Sequence, residues 1–184
     1  TFFETYNQLS KELYEAYPTN VSFKNSFAVS YGKLGSTHTA LGNLANALSF
    51  FEMYNQLKKE LYESYPTNVS FKNGLAISYE KLGDTHSALG SLEKALVSYR
   101  MTNQLFEALY ESYPTNVSFK NGLAISYYKL GAFSRDQLKD NSQAKVYFQR
   151  AEKLLMELVV DAPQFVEYKK SLDKVRSEIA KLKE

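Results

Sequence analysis

Prolines at positions 18, 66, 114 and 163 punctuate the chain at intervals of 48, 48 and 49 residues. They mark a tandem repeat. Residues 6–53 align without gaps on 54–101 at 33 of 48 positions, and 102–131 match 54–83 at 25 of 30, including the unbroken run 109–127. Self-similarity at such a period restricts the fold to arrays in which each unit buries its apolar face against the next. The boundaries set by this spacing are 1–17 for the second-helix tail of a preceding repeat, 18–65, 66–113 and 114–162 for three repeats, and 163–184 for a C-terminal capping helix. All belong to one solenoid domain.

Within a copy the apolar period is helical. In the second, Phe71, Leu75, Tyr79 and Leu82 recur every three or four residues. Pro66 cannot continue a helix and Asn68 is a good N-cap for the helix after it, while Gly83 is expected to end that helix in a left-handed turn. A second stripe runs from Ala88 and Leu92 through Ala95, Leu96, Tyr99, Leu105 and Leu109 to Tyr113. The reading is therefore a short helix of roughly 14 residues and a long one of about 29, spanning some 44 Å. Ala76 and Ala88 are expected to let the two approach closely.

At this point the residues resemble the tetratricopeptide repeat. Leu75-Ala76, Tyr79, Gly83, Ala88, Leu92 and Ala95 follow that family's order of small and large residues, as do Phe27-Ala28, Tyr31, Gly35, Ala40, Leu44 and Ala47. The third copy has Leu123-Ala124, Tyr127 and Gly131, then Ala144, Phe148 and Ala151. Placing Ala144 in register with Ala88 implies an insertion of about eight residues at 132–139 and a shortened second helix. Lys24, Lys72 and Lys120 stand where the family favours Trp, and the closing proline comes 14 residues late. The resemblance implies an all-α, right-handed solenoid of antiparallel helix pairs, coiled into a superhelix.

That resemblance also implies a binding groove on the concave face, lined by the first helix of each copy. The positions carried over are Asn25, Val29 and Lys33 in the first copy, Asn73, Ile77, Glu80 and Lys81 in the second, and Asn121, Ile125, Tyr128 and Lys129 in the third. An amide donates and accepts at once, so Asn25, Asn73 and Asn121 suit a peptide backbone. Lys33, Lys81 and Lys129 would add a positive rail for an acidic ligand. Gly32, Glu80 and Tyr128 differ at one equivalent place in near-identical copies, which would supply local specificity. Asn25 and Ser118 stand where the family's carboxylate clamp wants basic residues.

Catalytic chemistry is not expected. There is no Cys, and 22 Lys+Arg against 20 Asp+Glu show no clustered basic face, so neither a thiolate site nor nucleic-acid binding is predicted. His38 and His86 occupy one repeat position and are expected to be solvated or capping in the first turn of the long helix. Glu107 and Glu111 read as a solvated face, and the asparagines of the Asn-Val-Ser triplets at 20, 68 and 116 read as caps more than as glycosylation acceptors. No metal, cofactor or membrane span is expected. The longest uncharged stretch, 34–51, is broken by polar residues.

At the C-terminus Phe165, Tyr168, Leu172, Val175, Ile179 and Leu182 form a strict two-position stripe among charges, Lys183 among them. It reads as a capping helix, with a coiled-coil seam as the competitor. The opening at Thr1, inside an amphipathic pattern and without a leader, gives the expectation of a piece of a larger cytoplasmic protein. The expected function is a non-enzymatic interaction module binding a protein or peptide. The alternative is a self-assembling spacer joined into a homo-oligomer through its end helices.

Overall fold

The computed structural model describes residues 2–182; Thr1, Lys183 and Glu184 lie outside the described residues. Among those described there are eight helices: α1 (Phe2–Ala16), α2 (Val21–Ala40), α3 (Leu44–Ser64), α4 (Val69–Ala88), α5 (Leu92–Ser112), α6 (Val117–Asp136), α7 (Asn141–Asp161) and α8 (Val166–Lys181). The fold is an all-α solenoid of helix pairs, and it divides into two units, Thr1–Ser98 and Tyr99–Glu184.

The asparagines of the Asn-Val-Ser triplets cap helices, as expected. Asn20 Oδ1 accepts from the backbone N–H of Ser22 and Phe23, and Asn68 and Asn116 accept from those of Phe71 and Phe119. Each bond satisfies a donor that the first helical turn would otherwise leave unpaired.

The helix lengths correct the sequence reading. First helices run 20 residues and second helices 21, in place of 14 and 29. Gly35, Gly83 and Gly131 lie inside α2, α4 and α6, and the left-handed turn falls seven residues later, at Gly42 and Gly90 with φ of +74° and +73°. The inner glycines serve close approach. A Cβ on Gly35 would stand 2.5 Å from the Phe51 ring, and one on Gly131 2.7 Å from that of Phe148. The Ser/Thr-rich stretch beyond Gly35 stays helical, with the hydroxyls of Ser36, Thr37 and Thr39 donating back to the carbonyls of Gly32, Lys33 and Gly35. Ala40 and Ala88, at the helix ends, are exposed and mediate no close approach, whereas Ala28, Ala76 and Ala124 are buried.

The eight-residue insertion also falls away. Residues 132–136 continue α6 just as 36–40 continue α2, and the turn before α7 is one residue longer than the others. Ala144 is the counterpart of Ala47 and Ala95, all three fully buried, and α7 keeps the full 21 residues. The extra residue puts Lys139 at φ 56°, the conformation Gly42 and Gly90 adopt in their turns, at a cost of about 1 kcal/mol for a side chain with a Cβ.

One buried contact recurs that the sequence reading did not foresee. Asn7, Asn55 and Asn103 each donate an amide N–H to Ser30, Ser78 and Ser126, at 2.8–2.9 Å, and each serine donates in turn to the carbonyl three residues back. A buried hydroxyl satisfied on both sides stabilises one sliding register between a second helix and the first helix after it, since any shift parts the amide from the serine oxygen that accepts from it. The lysines in the Trp-type position mostly tie a first helix to the second helix after it, and only Lys72 reaches back to the helix before it. Lys24 Nζ pairs with Glu60 at 2.7 Å, Lys72 lies over the Tyr62 ring, and Lys120 meets Glu157 at 3.1 Å and Asp161 at 2.6 Å. Burial works against the Lys120 charge, but the bonds to Asp161 and Glu157 outweigh it and hold its pKa above the usual lysine value.

Candidate functional site

In the first unit the expected groove positions differ in exposure. Asn25, Val29, Asn73, Ile77, Glu80 and Lys81 are half-buried, and Lys33 is exposed. The Asn25 carbonyl is already engaged, accepting from Lys58 Nζ at 2.6 Å. Lys58 is 5% exposed, packs against Gly74 and lies 5.6 Å from the Tyr54 ring centroid. Burial lowers its pKa to about 8 and pushes the Tyr54 phenol up to about 12. Lys81 lines a separate cleft of about 300 Å³ with Ser36, Thr39, Phe51, Asp84 and Thr85, where an acid stands in the same wall.

The second unit gathers three of the expected residues. Ile125, Tyr128 and Lys129 of α6 line a cleft of about 260 Å³ together with Leu155 of α7 and Ser171, Lys174 and Val175 of α8. The Lys174 ammonium lies 4.5 Å from the centroid of the Tyr128 ring, within cation–π range. Ile125 is 38% exposed, so the floor is apolar and open. The lining holds two lysines and no carboxylate. Asn121 is half-buried one turn earlier on α6 and is not part of the lining.

The sequence reading does not reach Lys174 and Ser171, because it takes 163–184 as a cap or a coiled-coil seam and not as a further first helix. Aligning α8 on α4 at an offset of 97 residues would have found them. Tyr168 and Leu172 then fall on Phe71 and Leu75, and Lys174 on Ile77, already a groove position.

The other side of α6 faces a cleft of about 380 Å³ lined by Glu107, Tyr110, Glu111, Tyr127, Arg150, Lys153 and Glu157, among others. Glu107 does not belong to a merely solvated face. It accepts a short hydrogen bond from the Tyr127 hydroxyl, and Arg150 stacks 5.5 Å from that ring. Burial first, and then Glu107, raises the Tyr127 pKa. With three acids against two bases in its wall, this cleft satisfies much of its own charge.

The histidines also differ from expectation. Both lie in the last turn of a first helix, His86 is 6% exposed, and the Nδ1 atoms of both are buried without a hydrogen-bond partner. Burial holds the His86 imidazole below the usual histidine pKa. Among the described residues no three His, Asp or Glu cluster as a metal site would need, and no helix is long and apolar enough to cross a membrane.

No family model matches the chain, and no curated protein does either. Solved structures do. BtubC (BKLC) from P. vanneervenii aligns over 98% of this chain and 89% of its own, at 13% identity and a TM-score of 0.55. That likeness is one of fold. A TPR repeats protein from Bacteroides fragilis NCTC 9343 aligns over 96% and 92% at 19% identity, with a TM-score of 0.37. The de novo designed helical repeat protein DHR64 aligns over 98% and 91% at 12% identity, with a TM-score of 0.40.

Proposed function

We propose that the chain is a non-enzymatic interaction module that holds a segment of a partner protein against the first-helix face, with the α6–α8 cleft as its principal pocket. One observation carries this reading: the exposed Ile125 lies with the buried Leu155 and Val175 in a cleft that Lys129 and Lys174 also line, with no acid in its wall. An aliphatic side chain buried there removes apolar area from water, and a neighbouring carboxylate gains a charge-assisted bond from Lys174. Near-identical copies that diverge to Gly32, Glu80 and Tyr128 at one half-buried position support local selectivity. The tetratricopeptide-like kinship, a cytoplasmic setting and a parent protein that uses this module as sensor or scaffold belong to the same proposal.

The test compares capture of partners from host lysate by the immobilised native chain and by Lys174→Glu and Tyr128→Ala, each confirmed helical by circular dichroism. A specific partner retained by the native chain should fall at least tenfold with Lys174→Glu. Equal capture by all three would move recognition to another surface.

A further inference from the structure

We propose that α1 is a docking surface for one more first helix of the same repeat, carrying the stripe of α2. Residues 2–4 (Phe-Phe-Glu) repeat 50–52, and Leu9, Glu12 and Leu13 repeat Leu57, Glu60 and Leu61. The repeated residues differ in one respect, which is their cover. Leu57 and Leu61 are 7% and 1% exposed, whereas Leu9 and Leu13 are 55% and 45% exposed. In α3 that cover comes with α2: Leu57 belongs to the cluster of Phe27 and Ala28, Phe51 fills the space left by Gly35, and Lys24 pairs with Glu60.

Charge complementarity selects the occupant. Gln56 donates to Glu60 and Gln8 donates to Glu12 in the same way, so Glu12 is held in the pose in which Glu60 receives a lysine. A helix of α2 type brings that lysine together with the aromatic and small residues the leucines need. The α8 helix of a second copy does not. Its register places Asp173 where Ala28, Ala76 and Ala124 are buried and Arg176 where Tyr31, Tyr79 and Tyr127 stand. Burying Asp173 against an apolar stripe without a partner would cost more than the stripe returns.

The experiment joins residues 18–49 ahead of Phe2, so that the added helix and turn continue into α1 as α2 continues into α3. Melting and amide exchange are compared with those of the native chain. The extended chain should melt roughly 5 °C higher or more, and its α1 amides should exchange at least tenfold more slowly. Leu9→Asp should abolish both gains while leaving the native chain's melting point unchanged, because Leu9 is exposed there. Glu12→Lys should reduce them. An extended chain with unchanged α1 exchange would overturn the proposal. So would a concentration-dependent dimer of the native chain that Leu9→Asp dissolves, since a second copy would then be the occupant.

Discussion

Lys58→Met should make the protein more stable at pH 7, by about 2–3 kcal/mol, and should flatten its stability between pH 8 and 10. The ammonium is 5% exposed, its one hydrogen bond within the described contacts goes to the neutral amide of Asn25, and burial has brought its pKa from 10.5 to about 8. A drop of that size corresponds to about 3 kcal/mol of cost for keeping the charge in the folded state. The sign follows from proton linkage. Between pH 8 and 10.5 the unfolded chain holds the proton and the folded chain does not, so native stability should rise with pH, by about 2 kcal/mol from pH 7 to 10. The repeat supplies the control: the same position holds Phe106 against Gly122 in the next copy and Leu155 after that, both buried. Urea unfolding of both proteins at pH 7, 8.5 and 10 measures the difference. A methionine variant no more stable at pH 7, or with the native pH slope, would mean that Lys58 is solvated or paired.

Gly131→Val should act in the opposite direction, with a loss of about 3 kcal/mol. Helix propensity alone predicts a small gain, because glycine costs about 1 kcal/mol within a helix. Packing reverses it. A bare Cβ at this position would sit 2.7 Å from the Phe148 ring, which is completely buried, and valine adds two methyl groups beyond it. Overpacking of a full core costs about 1–3 kcal/mol, and here the ring has no open side into which to turn. Phe148→Leu in the same chain should recover part of the loss, giving a coupling energy that thermal or urea melts of the four proteins in the cycle can resolve. Simple additivity would show that the two residues do not share the space.

The same glycine explains why the sequence discloses some features and hides others. Periodicity, the prolines and the Asn caps suffice to place four inter-copy turns and the all-α class, because each is a local preference. Gly35, Gly83 and Gly131 look like helix terminators by that same local logic, and only the rings of Phe51 and Phe148 against Gly35 and Gly131 reveal what the missing side chain is for. The register of Ala144 failed for a related reason. An exposed alanine at a helix end and a fully buried one are the same letter, and only cover by the partner helix separates Ala88 from Ala95.

The site was legible in part. Of the residues lining the proposed cleft, Ile125, Tyr128 and Lys129 follow from the resemblance, because the surface positions of a first helix follow from its period. Lys174 needed the recognition that α8 is a fourth first helix. The asparagine positions were chosen for the donor and acceptor an amide can offer a peptide. The oxygen of Asn25 accepts from Lys58, a side chain 33 residues away whose unusual burial no local pattern announces.

The most direct measurement is photo-cross-linking from position 125, with benzoylphenylalanine replacing Ile125 at the floor of the α6–α8 cleft, followed by mass spectrometry of the captured peptide. The account predicts one dominant cross-link to a partner segment that carries an aliphatic residue beside an acidic one, and its disappearance with Lys174→Glu. A probe that remains uncoupled while the partner still binds would contradict it and place recognition elsewhere on the molecule.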